Sequence, residues 1–312
     1  MIFTKQRANK PIFSVEICAN TGFFAILQLV LFILVYCKEK NWFPDISARG
    51  GLYGDPAGRI DWFARCFDRI KSYSPEIEER IRQKERISTA KVFNMLQLGF
   101  RRRYEDTLEL TEASRLFLEY YRPNADISSE VDTTVREMSI GSYTLGVHFR
   151  GTDKVHETGR VSWETLVDTV RKTLVSEPRI TNILVSSDEP QFLDYIRQQE
   201  FARPVNFIPS SHLSVKGKPV HFSHLDGLQI GREALIASLL LSRCGFLIKT
   251  ASYLSAWSKI FNPTLKVLLI SHSKVGQIWF PDSALWASQH SETGESRSIP
   301  AFKWYWDDVS NH

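Results

Sequence analysis

The sequence predicts an α/β protein built from two parallel-sheet units, and three observations carry that prediction. At 312 residues the chain is about twice the length of a typical domain of roughly 150 residues. Hydrophobic residues make up 43% and charged residues 24%, enough apolar material for a packed interior and too much for a disordered or fibrous chain. From residue 143 onward, short apolar runs alternate with segments of helical periodicity, as in strands joined by crossover helices into a sheet covered on both faces. The formal net charge of +4 is scattered, which argues against nucleic-acid binding and leaves room for a local anion pocket. Cys18, Cys37, Cys66 and Cys244 form no CxxC pair and no Cys/His cluster, so free buried thiols are expected rather than zinc or a disulfide framework.

In chain order, Ile12 to Cys18 reads as a short strand leading through Ala19-Asn20-Thr21-Gly22 into an apolar run, Gly22 to Cys37. Lys5, Arg7 and Lys10 before the run, and Lys38 and Lys40 after it, give it the look of a membrane anchor. At about 16 residues it is shorter than the ~20 a span needs, it contains Gln28, and no small-residue cleavage site follows. The expectation is a buried helix opening an α/β domain in a cytoplasmic protein, with a membrane anchor through residues 22–37 as the alternative. Pro75 to Arg103 alternates Glu76, Glu78, Glu79, Arg80, Arg82, Lys84, Glu85 and Arg86 around sparse apolar positions and reads as a solvated helix. Arg101-Arg102-Arg103 points in three directions on such a helix, which makes it a surface cluster. A polar segment, Glu130 to Ser142, marks the boundary between an amino-terminal α/β domain (1–138) and a carboxy-terminal one (139–285). An aromatic tail (286–312) with Phe302, Trp304, Tyr305 and Trp306 is expected to pack back on the domains.

The second half is the more legible. Tyr143 to Phe149 is an apolar strand, and Ser162 caps a helix with the apolar face Trp163, Leu166, Val167, Val170 and Leu174. Strand Ile183 to Ser187 follows, then Asp188 as N-cap of a helix carrying Phe192, Leu193 and Ile196, then strand Val205 to Ile208. A loop with His212, His221 and His224 leads to a buried helix, Gly231 to Arg243. Strand Phe246 to Lys249, helix Ser252 to Phe261 and strand Leu265 to Ile270 complete the alternation. The loop histidines lack an acidic or cysteine cluster and read as nucleotide or solvent contacts rather than metal ligands.

Chemistry concentrates in Leu145-Gly-Val-His-Phe-Arg-Gly-Thr-Asp-Lys-Val155, where an apolar strand runs into His148, Arg150, Thr152, Asp153 and Lys154. Arg offers a rigid fork of donors for phosphate oxygens, Lys a second charge, and Asp an acceptor for hydroxyls or a base; a salt-bridged strand end is the plain alternative. His148 shares the Arg150 side of the strand, there to orient a sugar or phosphate or to sit as a satisfied edge histidine. Asp188 contacts nucleotide or caps its helix. Thr250, Ser252 and Ser255 cap the next helix, whose amino terminus is also an anion site. No Asp-x-Asp is present to hold a divalent metal against a diphosphate.

HFRGTDKV resembles the H-x-R-x-x-D-K signature of a fucosyltransferase superfamily that includes the α-1,6-fucosyltransferases of N-glycan cores and the rhizobial nodulation fucosyltransferases. The likeness continues in Ser186-Ser-Asp-Glu-Pro190 and from Gly231 through Phe246-Leu-Ile-Lys-Thr250 to Ser252, and more weakly at Asn20-Thr-Gly-Phe-Phe24. The resemblance implies two facing Rossmann-like domains of the GT-B type, the amino-terminal one on the acceptor side and the carboxy-terminal one binding GDP-fucose. It implies inverting transfer of fucose to a glycan hydroxyl, and with no Asp-x-Asp in the chain the expected reaction is metal-independent, with no cofactor beyond the donor substrate. The donor-binding residues would be His148, Thr152, Lys154, Asp188, Arg232, Glu233, Thr250, Ser252, Ser255, Asn20 and Gly22, with Arg150 and Arg232 replacing a metal against the leaving diphosphate. Glu157 is the expected general base and Asp153 the residue that orients Arg150 or the acceptor. Two positions depart from the family: Gly151 stands where core α-1,6 enzymes have a second Arg, and Ala237 where relatives carry an Asp that reads guanine, leaving Glu233, one turn earlier, as its substitute. A catalytically degenerate sugar-nucleotide or glycan binding protein, or a transferase for another nucleotide sugar, is the competing reading.

Overall fold

The computed structural model describes residues 10–55, 57–70, 73–85, 88–94, 97, 99, 101–151, 160–210, 226–270 and 279–290. Strand β1 (Ile12–Ile17) lies between β2 (Phe43–Ala48) and β4 (Ser88–Val92), all parallel, with Val15 opposite Ile46 on one side and Ala90 on the other. The crossover from β1 to β2 is helix α1 (Phe23–Lys40), which ends where Asn41 adopts the left-handed conformation and its N–H reaches the carbonyls of Cys37 and Lys38. Phe23 to Val35 is buried without a break, so protein covers α1 on every side, as expected for residues 22–37. Among the described residues no helix is long and apolar enough to cross a membrane. A small antiparallel pair, β3 (Phe67–Arg69) with β5 (Tyr121–Pro123), flanks this sheet and is tied to it by Arg69 on Asp45 at 2.9 Å.

The segment 75–103 differs from the single solvated helix its charges predict. Helix α2 spans only Pro75–Arg82, capped by Ser74, whose side chain accepts the Ile77 N–H. Ser88–Val92 then pairs along β1 as strand β4, and α3 begins at Arg101 and ends at Thr107. Strand identity here comes from the open edge of β1, a partner the local sequence does not reveal. Helices α4 (Leu110–Tyr120) and α5 (Ala125–Glu137, capped by Asn124) lead to the second sheet.

That sheet is parallel and five-stranded, in the order β10-β9-β6-β7-β8, from β6 (Thr144–Phe149), β7 (Asn182–Ser187), β8 (Val205–Phe207), β9 (Phe246–Lys249) and β10 (Lys266–Leu269). Every residue of the central strand β6 is buried, as befits a parallel strand covered on both faces. Its side chains alternate: Leu145, Val147 and Phe149 pack with Leu166, Val170, Phe192 and Ile196 of α6 (Trp163–Ser176) and α7 (Pro190–Arg197). On the other face Leu184 and Leu247 join α8 (Gly227–Ser242) and α9 (Tyr253–Phe261) in a core continuous with α1, α4 and the first sheet. Ser162 caps α6 as its sequence predicts, accepting the Thr165 N–H at 3.1 Å. Helix α8 starts one turn before the expected Gly231, because the Asp226 carboxylate takes the Leu228 and Gln229 N–H groups. Helix α10 (Asp282–His290) packs against β10. The fold class expected from the sequence, parallel sheets flanked by helices, is the one observed. All four cysteines are free, and burial pushes the Cys37 and Cys66 thiols up to about 12.

Candidate active site

A cleft of about 290 Å³ opens at the carboxyl ends of β6, β7 and β8, closed on one side by the start of α1 and on the other by α8 and the start of α9. This is where a doubly wound sheet leaves room for a ligand, since β6 and β9 are neighbours in the sheet and the helices that follow them, α6 and α9, pack on opposite faces. Its polar lining comes chiefly from His148, Arg150, Asp188, Ser210, Glu233 and Ser252. Phe23, Phe24, Ile208, Ile230 and Ala237 supply apolar walls.

Arg150 is fixed from two directions. Its guanidinium pairs with Asp188 at 2.9 Å, and its backbone N–H donates to Thr250 Oγ1 at 2.8 Å. The Gly151 N–H lies 3.4 Å from the other Asp188 oxygen. Asp188 is therefore not the helix cap that its position suggests. Glu189 occupies the cap position of α7, and its N–H turns back to Ser187 Oγ. The reason is competition: a carboxylate beside a guanidinium gains more from that charge-assisted bond than from a neutral helix-end N–H. Gly151 also has a steric explanation. A Cβ there would stand 1.8 Å from Glu189 Oε2 and 2.7 Å from the Phe149 ring, so a larger residue requires Glu189 to move. Glu189 in turn holds Arg160 at 2.7 Å.

His148 is 3% exposed, and its Nδ1 has no hydrogen-bond partner among the described residues. Burial, reinforced by the positive charges of Lys249 and Arg150, holds its pKa well below the ordinary histidine value. The imidazole is therefore neutral at physiological pH and has a hydrogen bond, not a charge, to offer a ligand. Across the cleft, Tyr53 accepts the Phe23 N–H at 2.7 Å at the start of α1, and burial raises its phenol pKa. Glu233 meets Ser210 Oγ at 3.4 Å and accepts from Gln229 Nε2 at 3.2 Å. Close approach keeps α8 near α1: a Cβ on Gly231 would lie 2.8 Å from the Phe23 ring.

Of the residues singled out from sequence, the fold brings His148, Arg150, Asp188, Glu233, Ser252 and Gly22 to one cleft. Thr250 stands behind it as the acceptor for Arg150, and Ser255 is fully buried, 3.5 Å from the Ser252 carbonyl. Asn20 is exposed outside the lining, which Thr21 enters instead. Arg232 turns away and pairs with Glu130 of α5, because adjacent helix positions differ by about 100° and only Glu233 faces the cleft. The expectation that Arg232 neutralises an anion there is corrected accordingly. Thr152, Asp153, Lys154, Glu157, the histidines at 212, 221 and 224, and residues 291–312 of the expected tail lie outside the described residues, while 286–290 belong to α10. Tyr53 and the Ile208–Ser210 wall were not singled out: the loop carrying Tyr53 has no periodicity, and residues 208–210 merely follow a three-residue strand. No group of His, Cys, Asp or Glu that could hold a metal ion occurs among the described residues.

Solved structures share this fold. The structure of NodZ α-1,6-fucosyltransferase soaked with GDP-fucose is 18% identical, covering 86% of this chain and 98% of that one, with a TM-score of 0.57. NodZ co-crystallised with GDP is 18% identical over 82% of this chain and 94% of that one, with a TM-score of 0.53. Fucosyltransferase NodZ from Bradyrhizobium is 19% identical over the same shares, with a TM-score of 0.56. No family model matches the chain, and no curated protein matches it. At these identities the likeness establishes the fold.

Proposed function

We propose that the protein is an inverting, metal-independent glycosyltransferase that moves fucose from GDP-fucose to a glycan hydroxyl. The observation that carries this reading is Arg150, held by Asp188 and Thr250 at the mouth of a cleft, on a fold shared with an enzyme whose structure was obtained with GDP-fucose. Transfer with inversion requires the acceptor oxygen to bond to the sugar C1 from the face opposite the departing GDP. A base takes the hydroxyl proton while the C1–O bond to the β-phosphate breaks and its electron pair stays with GDP. The Arg150 guanidinium would meet that developing charge with a fork of donors, the task a divalent metal performs elsewhere. Neutral His148 would donate or accept one hydrogen bond in the same region, and Glu233 would face the base edge with a carboxylate that accepts N–H donors of guanine. Glu157 would be the general base and Asp153 an orienting group.

GDP release from GDP-fucose, followed with a panel of glycan acceptors and with EDTA present, tests the proposal. Acceptor-dependent release that EDTA leaves almost unchanged is the expected result. A requirement for Mn²⁺ or Mg²⁺ would overturn the mechanism, and preference for another donor would reassign the sugar. Ala237 favours one second reading, a nucleotide-sugar binding protein without turnover, since this wall of the cleft presents only a methyl group. GDP binding without release in any acceptor mixture would favour that reading.

A further inference from the structure

Lys249, the last residue of β9, is 0% exposed. Its ammonium pairs with Asp282, the first residue of α10, and also donates to the Ser252 carbonyl at 3.2 Å. The second Asp282 oxygen accepts the Ser252 N–H at 2.8 Å. Both backbone polar groups of Ser252 are thus gripped by one ion pair, while its side chain makes no capping bond to α9 and lines the cleft. Two residues before it, Thr250 donates its N–H to the His148 carbonyl at 3.1 Å and accepts the Arg150 N–H. Removing an ammonium and a carboxylate from water is costly, and a buried pair of this kind is often no more stabilising than apolar residues of similar volume. Its local effect is geometric and electrostatic. It selects one conformation for the turn, and it cancels the Asp282 charge, which would otherwise oppose an anion approaching Arg150.

We propose that Lys249 and Asp282 are positioning residues: their buried pair sets the Thr250–Ser252 turn and, through Thr250, the placement of Arg150 for an anionic ligand. Only its effect on affinity rests on the cleft binding a nucleotide diphosphate, and the test separates the two. Amide hydrogen exchange and GDP binding are measured for wild type, Lys249→Met and the double variant Lys249→Met/Asp282→Leu, which carries no unpaired charge. The proposal expects the Arg150 and Ser252 amides to exchange at least tenfold faster in each variant while Leu184 and Val185 in β7 stay as protected as in wild type, and GDP affinity to fall about tenfold. A merely structural pair would move all four amides together with the melting temperature. Should Lys249→Met fail to fold, the double variant decides alone. Native exchange at Arg150 and Ser252 in a folded variant overturns the proposal. Failure of wild type to bind GDP would count against the proposed function, and the exchange measurement would still decide the role of the pair.

Discussion

At the scale of single residues, Arg150 carries most of the chemical reading, because its fork geometry cannot be replaced by a point charge. Arg150→Lys is expected to keep the charge and lose the bidentate contact, lowering kcat by about 2 to 4 kcal/mol in activation free energy with a smaller change in donor affinity; steady-state kinetics check this. Wild-type rates in that variant would reduce Arg150 to a structural partner of Asp188. The base is addressed by pH profiles of kcat/KM. Glu157→Gln is expected to lose turnover and the acidic limb together while still binding GDP, whereas Asp153→Asn keeps the limb at a lower rate. Retention of the acidic limb in Glu157→Gln would move the assignment to Asp153 or His148. His148 also makes a stability prediction. Its folded pKa is depressed, so the unfolded chain binds a proton that the native state refuses once pH falls below the ordinary value of 6.5. Stability should therefore be intact above pH 6.5 and decline below it, by up to ~1.4 kcal/mol per pH unit from this group. Denaturant titrations between pH 7 and 5 should show a shallower decline in His148→Gln, and an unchanged slope would refute the assignment.

At the scale of elements, α1 holds the clearest opportunity. Gln28 is fully buried in it, and neither its amide oxygen nor its nitrogen has a hydrogen-bond partner among the described residues. An unmade buried amide bond costs about 1–3 kcal/mol, so Gln28→Met should raise the melting temperature by a few degrees without affecting GDP binding. A lower melting temperature would mean that the amide is satisfied in solution. The same helix shows what could be read in advance. Its length and apolar continuity were sufficient to predict burial, and Ser162 announced α6 by the bond it makes. Ser88–Val92 was illegible, because its strand character is conferred by β1. Asp188 and Arg232 misled for a related reason: a residue type shows which bonds are possible, and tertiary neighbours choose among them. The string around Arg150 stood out because polar density at the end of an apolar strand is itself the signature of a sheet edge with a ligand site.

At the scale of the whole molecule, two sheets share one hydrophobic interior. Helix α1, which follows the first strand, touches α9 through Phe24 and Trp257, and its Phe32 lies against Phe280. Helices α4, α8 and α9 complete the contact, with the Phe117 ring edge-on to Trp257 at 5.0 Å. The cleft lies at the junction of the two sheets, so the same packing that joins them fixes Phe23 and Tyr53 opposite Arg150. During synthesis this arrangement imposes an order. The most apolar helix is translated well before part of the surface that buries it, Trp257 and Phe280. At ~5–20 residues per second that interval is on the order of ten seconds or more. Throughout it, the side of α1 that meets Trp257 and Phe280 is without its cover, an apolar stripe on a helix that ends in basic residues and a natural client for a holding chaperone, so the yield of folded protein in a foreign host is expected to rise with chaperone supply.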